Sequence, residues 1–184
     1  KNLEILSNYL DFYPEFNCNN FNIQFAYSNG RSSLFKKNDK FYFSLGTFIY
    51  NNKFNSDALK LFAEDLENGK KLEDILTEDG TRGQFCLILI SKQAIKIITD
   101  KLGYYPLYIY RQNEKISISN SMLLLAKNNK TTLNYIGIAQ YLSENYRHVT
   151  YACCDQNIFK EIEYLDPGSI YELKEKSVSK KNYF

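Results

Sequence analysis

The chain has 184 residues, 44% hydrophobic and 24% charged, enough to bury a core without disulfide or metal staples. Its 23 basic and 21 acidic side chains leave a net charge of +2, no electrostatic footprint for nucleic acid or anionic lipid. No apolar run approaches the roughly 18 residues that a membrane span needs, so neither nucleic acid nor membrane is expected as a partner.

Leu3, Leu6 and Leu10 fall at helical spacing, which predicts a short amphipathic helix over Asn2–Leu10. Asn17–Asn22 reads as a polar turn. Strands are expected at Phe21–Tyr27 and Ser32–Lys36, joined by Asn29-Gly30, a hairpin signal. Lys40–Tyr50 alternates and carries aromatics, a further strand that closes at Asn51-Asn52. A helix follows, with Asn55 or Ser56 as cap, Ala58, Leu59, Phe62, Ala63 and Leu66 as its apolar stripe, and Gly69 at its end. Leu72, Ile75 and Leu76 predict a second helical turn.

From Gln84 onward the period changes to that of strands, at Phe85–Ser91, Ala94–Asp100, Leu107–Tyr110 and Lys115–Ser119, read together as an antiparallel meander. Helices are expected at Ser121–Lys127, capped by Asn120 or Ser121, and at Leu133–Asn145. Gly168–Phe184 reads as two strands joined at Glu175-Lys176. With no repeat and no interdomain linker, residues 1–184 read as one domain, and the order of elements predicts an α+β fold of two packed sheets covered by helices.

Four cysteines, Cys18, Cys86 and the adjacent Cys153-Cys154, form no C-x-x-C pair, and His148 is the only histidine. No metal site is spelled out. Cys86, inside an apolar strand, reads as a small core residue, and a reduced, cytoplasmic setting is expected.

Gly83-Gln84-Phe85-Cys86-Leu87 leads to Thr99-Asp100-Lys101-Leu102-Gly103-Tyr104-Tyr105-Pro106-Leu107-Tyr108, then to Ile116-Ser117-Ile118-Ser119-Asn120-Ser121. Phe159, Ile162, Leu165, Pro167-Gly168-Ser169 and the closing Tyr183-Phe184 complete the series. In this order the elements resemble the amino-terminal type 2 glutamine amidotransferase domain of the asparagine synthetases, an Ntn-hydrolase fold. The resemblance runs from about Gly46 to Phe184. It implies a four-layer αββα sandwich of two mainly antiparallel sheets. It also implies an ATP-pyrophosphatase-type synthetase domain beyond residue 184. The shared residues carry turns and strand entries, so they speak for architecture before activity. Asp100 in particular is expected to accept backbone N–H bonds in its turn rather than to take part in catalysis.

The family's active members, as the resemblance has it, use an amino-terminal cysteine whose own α-amine is the general base. A free α-amine titrates near ~7.7–8.0 and can take a thiol proton at neutral pH. Here the chain begins Lys1-Asn2-Leu3, and Cys18, the one early thiol, has an amide in place of that amine. The family's N-G-E loop aligns with Leu45-Gly46-Thr47, a vestigial glutamine-binding loop in which Leu45 cannot donate an amide hydrogen bond to an oxyanion, an interaction worth ~3 kcal/mol. Arg31 reads as a hairpin-turn residue, and Asp57 and Asp65 as solvated helix positions. Neighbouring aromatics, Phe43 or Phe48, are expected to fill the space beside Leu45.

The reading is therefore a divergent branch lacking the nucleophilic cysteine, with no catalytic residue and no cofactor of its own. ATP and Mg are expected in the C-terminal synthetase domain, its main partner. A peptide or small carboxylate substrate of the parent protein is a further expected partner. Two alternatives stand beside it: an active glutaminase whose natural start lies upstream of Lys1, and a module that binds a peptide or partner protein along a strand edge.

Overall fold

The computed structural model describes residues 32–112, 115–142, 157–174 and 177–184, together with the backbone of four short strands ahead of them. The helix expected at Asn2–Leu10, the Asn29-Gly30 turn, Arg31, His148 and Cys153-Cys154 lie outside the described residues. The chain forms two compact units, one comprising the residues up to Tyr105 and Asp166–Phe184, the other Pro106–Leu165.

The early strands are β1 (Asp11–Phe12), β2 (Phe16–Cys18), β3 (Phe21–Ile23) and β4 (Ala26–Tyr27). β1 pairs with β4 and β2 with β3, Cys18 standing opposite Phe21. Asn17, Cys18, Phe21 and Asn22, read as part of a polar turn, are thus strand residues. Phe21–Tyr27 is likewise not one strand, because its two halves have different partners. Asn17 and Asn22 are register partners in the ladder, a polar pair that hydropathy alone reads as loop.

β5 (Ser32–Lys37) pairs with β6 (Lys40–Tyr50). The turn that sets this register is Asn38-Asp39, with φ of 49° and 58°, two consecutive left-handed residues as a type I′ hairpin requires. Asn51 and Asn52, at 48° and 60°, repeat the device and turn β6 into β7 (Lys53–Phe54). Asparagine and aspartate tolerate this conformation better than most side chains, so both tight turns are written in these residues instead of glycine.

α1 (Asn55–Glu67) follows, and α2 (Leu72–Thr77) after it. Ala58, Leu59, Phe62 and Ala63 of α1 are fully buried, as the stripe predicts. The expected cap is not formed. Asn55 instead turns its Oδ1 back to accept the Phe48 N–H of β6 at 3.2 Å, and no side chain caps the helix. At the other end Gly69, in the left-handed region, donates its N–H to the Leu66 carbonyl.

β8 (Thr81–Ile90) and β9 (Ile95–Thr99) join β6. The terminal hairpin, β13 (Ser169–Lys174) and β14 (Ser177–Asn182), then completes a seven-stranded antiparallel sheet in the order β14-β13-β9-β8-β6-β5, with β7 on β6. Directly opposed residues share a face. Ser44, Leu87, Ile98 and Ile170 form one row, and Leu87, Ile98 and Ile170 pack in the core with Leu59, Phe62 and Ile75 of the helices. The row Phe43, Ile88, Ile97 and Tyr171 occupies the opposite face and is also buried.

The second unit holds a three-stranded antiparallel sheet of β11 (Lys115–Ser119), β10 (Tyr108–Gln112) and β12 (Ile162–Tyr164). With it go α3 (Met122–Asn128) and α4 (Tyr135–Leu142). Ser121 caps α3, its Oγ accepting the Leu124 N–H at 3.3 Å. Leu125 of α3 is buried with Tyr110 and Ile162 of the sheet. The fold is thus α+β with two antiparallel sheets, as expected. The expected meander is not continuous: after β9 the chain leaves the first sheet and enters the second at β10, because the turn at Asp100–Pro106 breaks the pairing.

Candidate functional site

Leu45, Gly46 and Thr47 lie within β6 and not in a loop, opposite Cys86, Phe85 and Gln84 of β8. The strand passes through them because two glycines open the backbone on adjacent strands. Gly46 has φ of +82° and Gly83 +118°, both outside the range that side chains favour. A Cβ at Gly83 would stand 2.1 Å from the Thr47 carbonyl oxygen, and one at Gly46 would stand 2.3 Å from that of Gln84. The two strands thus approach at a crease where only glycine fits. Each glycine faces an aromatic, Gly46 opposite Phe85 and Phe48 opposite Gly83, and the two rings meet edge to face at 4.9 Å.

Three aromatics lie near this stretch of β6. Phe48 is turned under α1 against Phe62, and Phe43 is buried two rows along. Tyr105 closes on Gly46, its Cδ2 standing 2.7 Å from where a Cβ on that glycine would be. Tyr105 belongs to the turn that begins at Asp100, and its position is fixed by that carboxylate.

Asp100 is 1% exposed. Its Oδ1 accepts the N–H groups of Leu102 at 3.1 Å and Tyr104 at 3.0 Å, and its Oδ2 that of Tyr105 at 2.7 Å. Its carbonyl oxygen takes the N–H groups of Gly103 and Gly168. Beside it, Thr99 Oγ1 donates to the Asp166 carbonyl at 2.7 Å and accepts the Ser169 N–H at 3.0 Å, while the Tyr183 hydroxyl donates to the Thr99 carbonyl at 2.6 Å. The motif residues from the middle and the end of the sequence therefore meet in one hydrogen-bonded knot. Their chemistry is used up in holding backbone, as the reading of Asp100 anticipated.

Cys86 is fully buried in β8. Burial pushes its thiol far above the ordinary range, and the nearby Asp100 charge adds to the shift. The nucleophilic thiolate is thereby suppressed at neutral pH. Cys18 lies on β2 with an ordinary peptide amide before it. Thr47 and Gln84 are exposed beside the crease, and Leu45 is half-buried. Among the described residues no group of three His, Cys, Asp or Glu side chains could hold a metal ion.

Asp57 is exposed, as read, but Asp65 is not simply solvated. It accepts the Tyr50 hydroxyl at 2.6 Å and Lys70 Nζ at 2.8 Å, and these bonds, that of Lys70 first, lower its pKa. Two residues on, Glu67 accepts Lys40 at 2.7 Å, Tyr42 at 2.7 Å and Asn38 at 2.9 Å, with its pKa drawn down to about 2. Both are tethers from α1 to the sheet. No sequence motif marks them, because the partners that tie them to the sheet and its hairpin lie 15 to 29 residues away along the chain.

A family model described as a glutamine amidotransferase domain matches residues 50–184. No curated protein sequence matches the chain. Among solved structures, the chain is similar to a glutamine phosphoribosylpyrophosphate amidotransferase from B. subtilis complexed with ADP and GMP, at 11% identity and a TM-score of 0.39. It is also similar to a structure described as the allosteric regulatory enzyme of purine biosynthesis, at 11% identity and a TM-score of 0.41. Each comparison covers 82% of this chain, which spans 31% and 30% of those two proteins.

Proposed function

The chain belongs to the glutamine amidotransferase domain family, and from that premise we propose that it is a member that no longer hydrolyses glutamine. In this reading it supports an ATP-dependent, amide-forming synthetase domain of the asparagine synthetase kind. One observation carries the loss of hydrolysis. The side chain standing where the resemblance puts an oxyanion-binding asparagine is Leu45, a hydrocarbon beside Cys86, whose thiol is buried and held protonated. Neither can stabilise or generate the charge that develops in amide attack.

The role that remains is architectural. The knot around Asp100 and the creased strands keep the fold where the polar loop has gone. The partner domain would bring ATP and Mg, and a peptide or small carboxylate would be its substrate. The test is nitrogen-donor use by the full-length protein. With ATP and Mg present, ammonium or an amine substrate should support amide formation and glutamine should not. Equal or better use of glutamine would overturn the reading. It would favour instead the active glutaminase, for which the family match itself speaks.

A further inference from the structure

At the end of β6, β7 and β8 lies a cleft of about 530 Å³ that shares no residue with Leu45–Thr47. Its floor is a cross-strand row. Phe54 and Arg82 both stand opposite Ile49, so an aromatic ring, an aliphatic side chain and a guanidinium lie side by side on one sheet face. Phe54 is 61% exposed. The two rims are turns. Asn51-Asn52 forms one and Asp79-Gly80 the other, and the Asn51 N–H donates to the Gly80 carbonyl at 3.0 Å. A Cβ at Gly80 would meet Asn51 Oδ1 at 2.4 Å, so the carboxamide packs directly on the opposite turn. Arg82 is fixed as well, its Nε donating to the Asp79 carbonyl at 2.8 Å. The cleft is therefore preformed.

What the cleft leaves open is specific. Among the described residues, the Asp79 carboxylate, the Asn52 carboxamide and the terminal nitrogens of Arg82 have no partner, and no ion pair joins Asp79 to Arg82. The charges cancel, one cation against one anion. An anion drawn to Arg82 meets Asp79, and a cation drawn to Asp79 meets Arg82. A zwitterion would satisfy that rim alone and leave the asparagine rim unused. A neutral ligand that carries donors and acceptors around its whole perimeter, with an apolar face for Phe54 and Ile49, satisfies both. Each of these three planar groups offers two polar atoms side by side, the geometry that vicinal hydroxyls match. We propose that this cleft binds a short, uncharged oligosaccharide, with one ring laid on Phe54 and its hydroxyls bridged by Asn52, Asp79 and Arg82. A cleft of this volume accommodates more than one sugar ring.

The experiment is ligand-observed NMR on the chain with maltose, cellobiose, lactose and N,N′-diacetylchitobiose, followed by titration of those that bind. L-phenylalanine and benzoate serve as the charged comparisons. At least one disaccharide should bind with a dissociation constant on the order of millimolar. Phe54→Ala and Asp79→Asn, both at exposed positions, should each weaken it about fivefold or more. Binding that ignores both substitutions, no binding by any of the four sugars, or tighter binding of L-phenylalanine or benzoate would each overturn the proposal.

Discussion

Replacing Asp100 by alanine removes the acceptor for three backbone N–H groups at once. Leu102 and Tyr104 carry side chains that are 61% and 60% exposed. Water can therefore replace the carboxylate at their N–H groups, at a cost of ~1 kcal/mol each. Tyr105 packs beside Gly46 and is less accessible, so its orphaned N–H costs ~2 kcal/mol. Asp100→Ala should then destabilise the protein by ~4 kcal/mol. Asp100→Asn keeps one oxygen for Leu102 and Tyr104 but faces Tyr105 with a donor, and should cost about half as much, ~2 kcal/mol. For a chain of this length the alanine variant should lose ~8–16 °C in melting temperature. Urea unfolding followed by circular dichroism measures both. An alanine variant within ~1 kcal/mol of the parent, or an asparagine variant as damaging as alanine, would refute the account of Asp100 as a backbone anchor.

Gly83→Ala, which sets a Cβ 2.1 Å from the Thr47 carbonyl, should cost ~3 kcal/mol in the same assay through strain and overpacking; a neutral outcome would show that the crease is not tight. Iodoacetamide labelling of the folded protein at mildly alkaline pH, mapped by mass spectrometry, should leave Cys86 unmodified until denaturant is added, since burial holds its thiol protonated. Glu67 titrates at about 2 in the folded state, below its unfolded value of ~4.3. Its contribution is therefore complete above the unfolded value and is lost as pH falls toward 2. Glu67→Gln should cost ~1 kcal/mol at pH 7, discounted for a Lys40 partner that is 47% exposed, and the gap from the parent should close on titration to acid; a gap that persists there would contradict the assignment.

Those parts of the fold with a strong local period were legible in the sequence. β6, the stripe of α1, the Ser121 cap and the terminal hairpin all stand where hydropathy and turn chemistry put them. What was missed depended on choices between turns. The β5–β6 turn at Asn38-Asp39 was not singled out, although both residue types tolerate the left-handed region that the turn requires. The cap of α1 was lost to a tertiary bond, from the Phe48 N–H to Asn55. At the candidate site, Leu45, Gly46 and Thr47 were found by alignment to a loop, whereas the backbone keeps them in a strand. Local sequence carries no sign that Gly83 opposite Phe48 would crease two strands together, or that Tyr105, far along the chain, would close on Gly46. The Asp100 turn was legible because its acceptor and donors are neighbours in sequence.

The central claim is that this glutamine amidotransferase domain does not hydrolyse glutamine, and glutamate release is its most direct measurement. The full-length protein, incubated with saturating glutamine with and without ATP and Mg, should release glutamate no faster than a heat-denatured control. Sustained release across many turnovers, retained in a Cys86→Ser variant, would contradict the account and point to a nucleophile elsewhere in the chain.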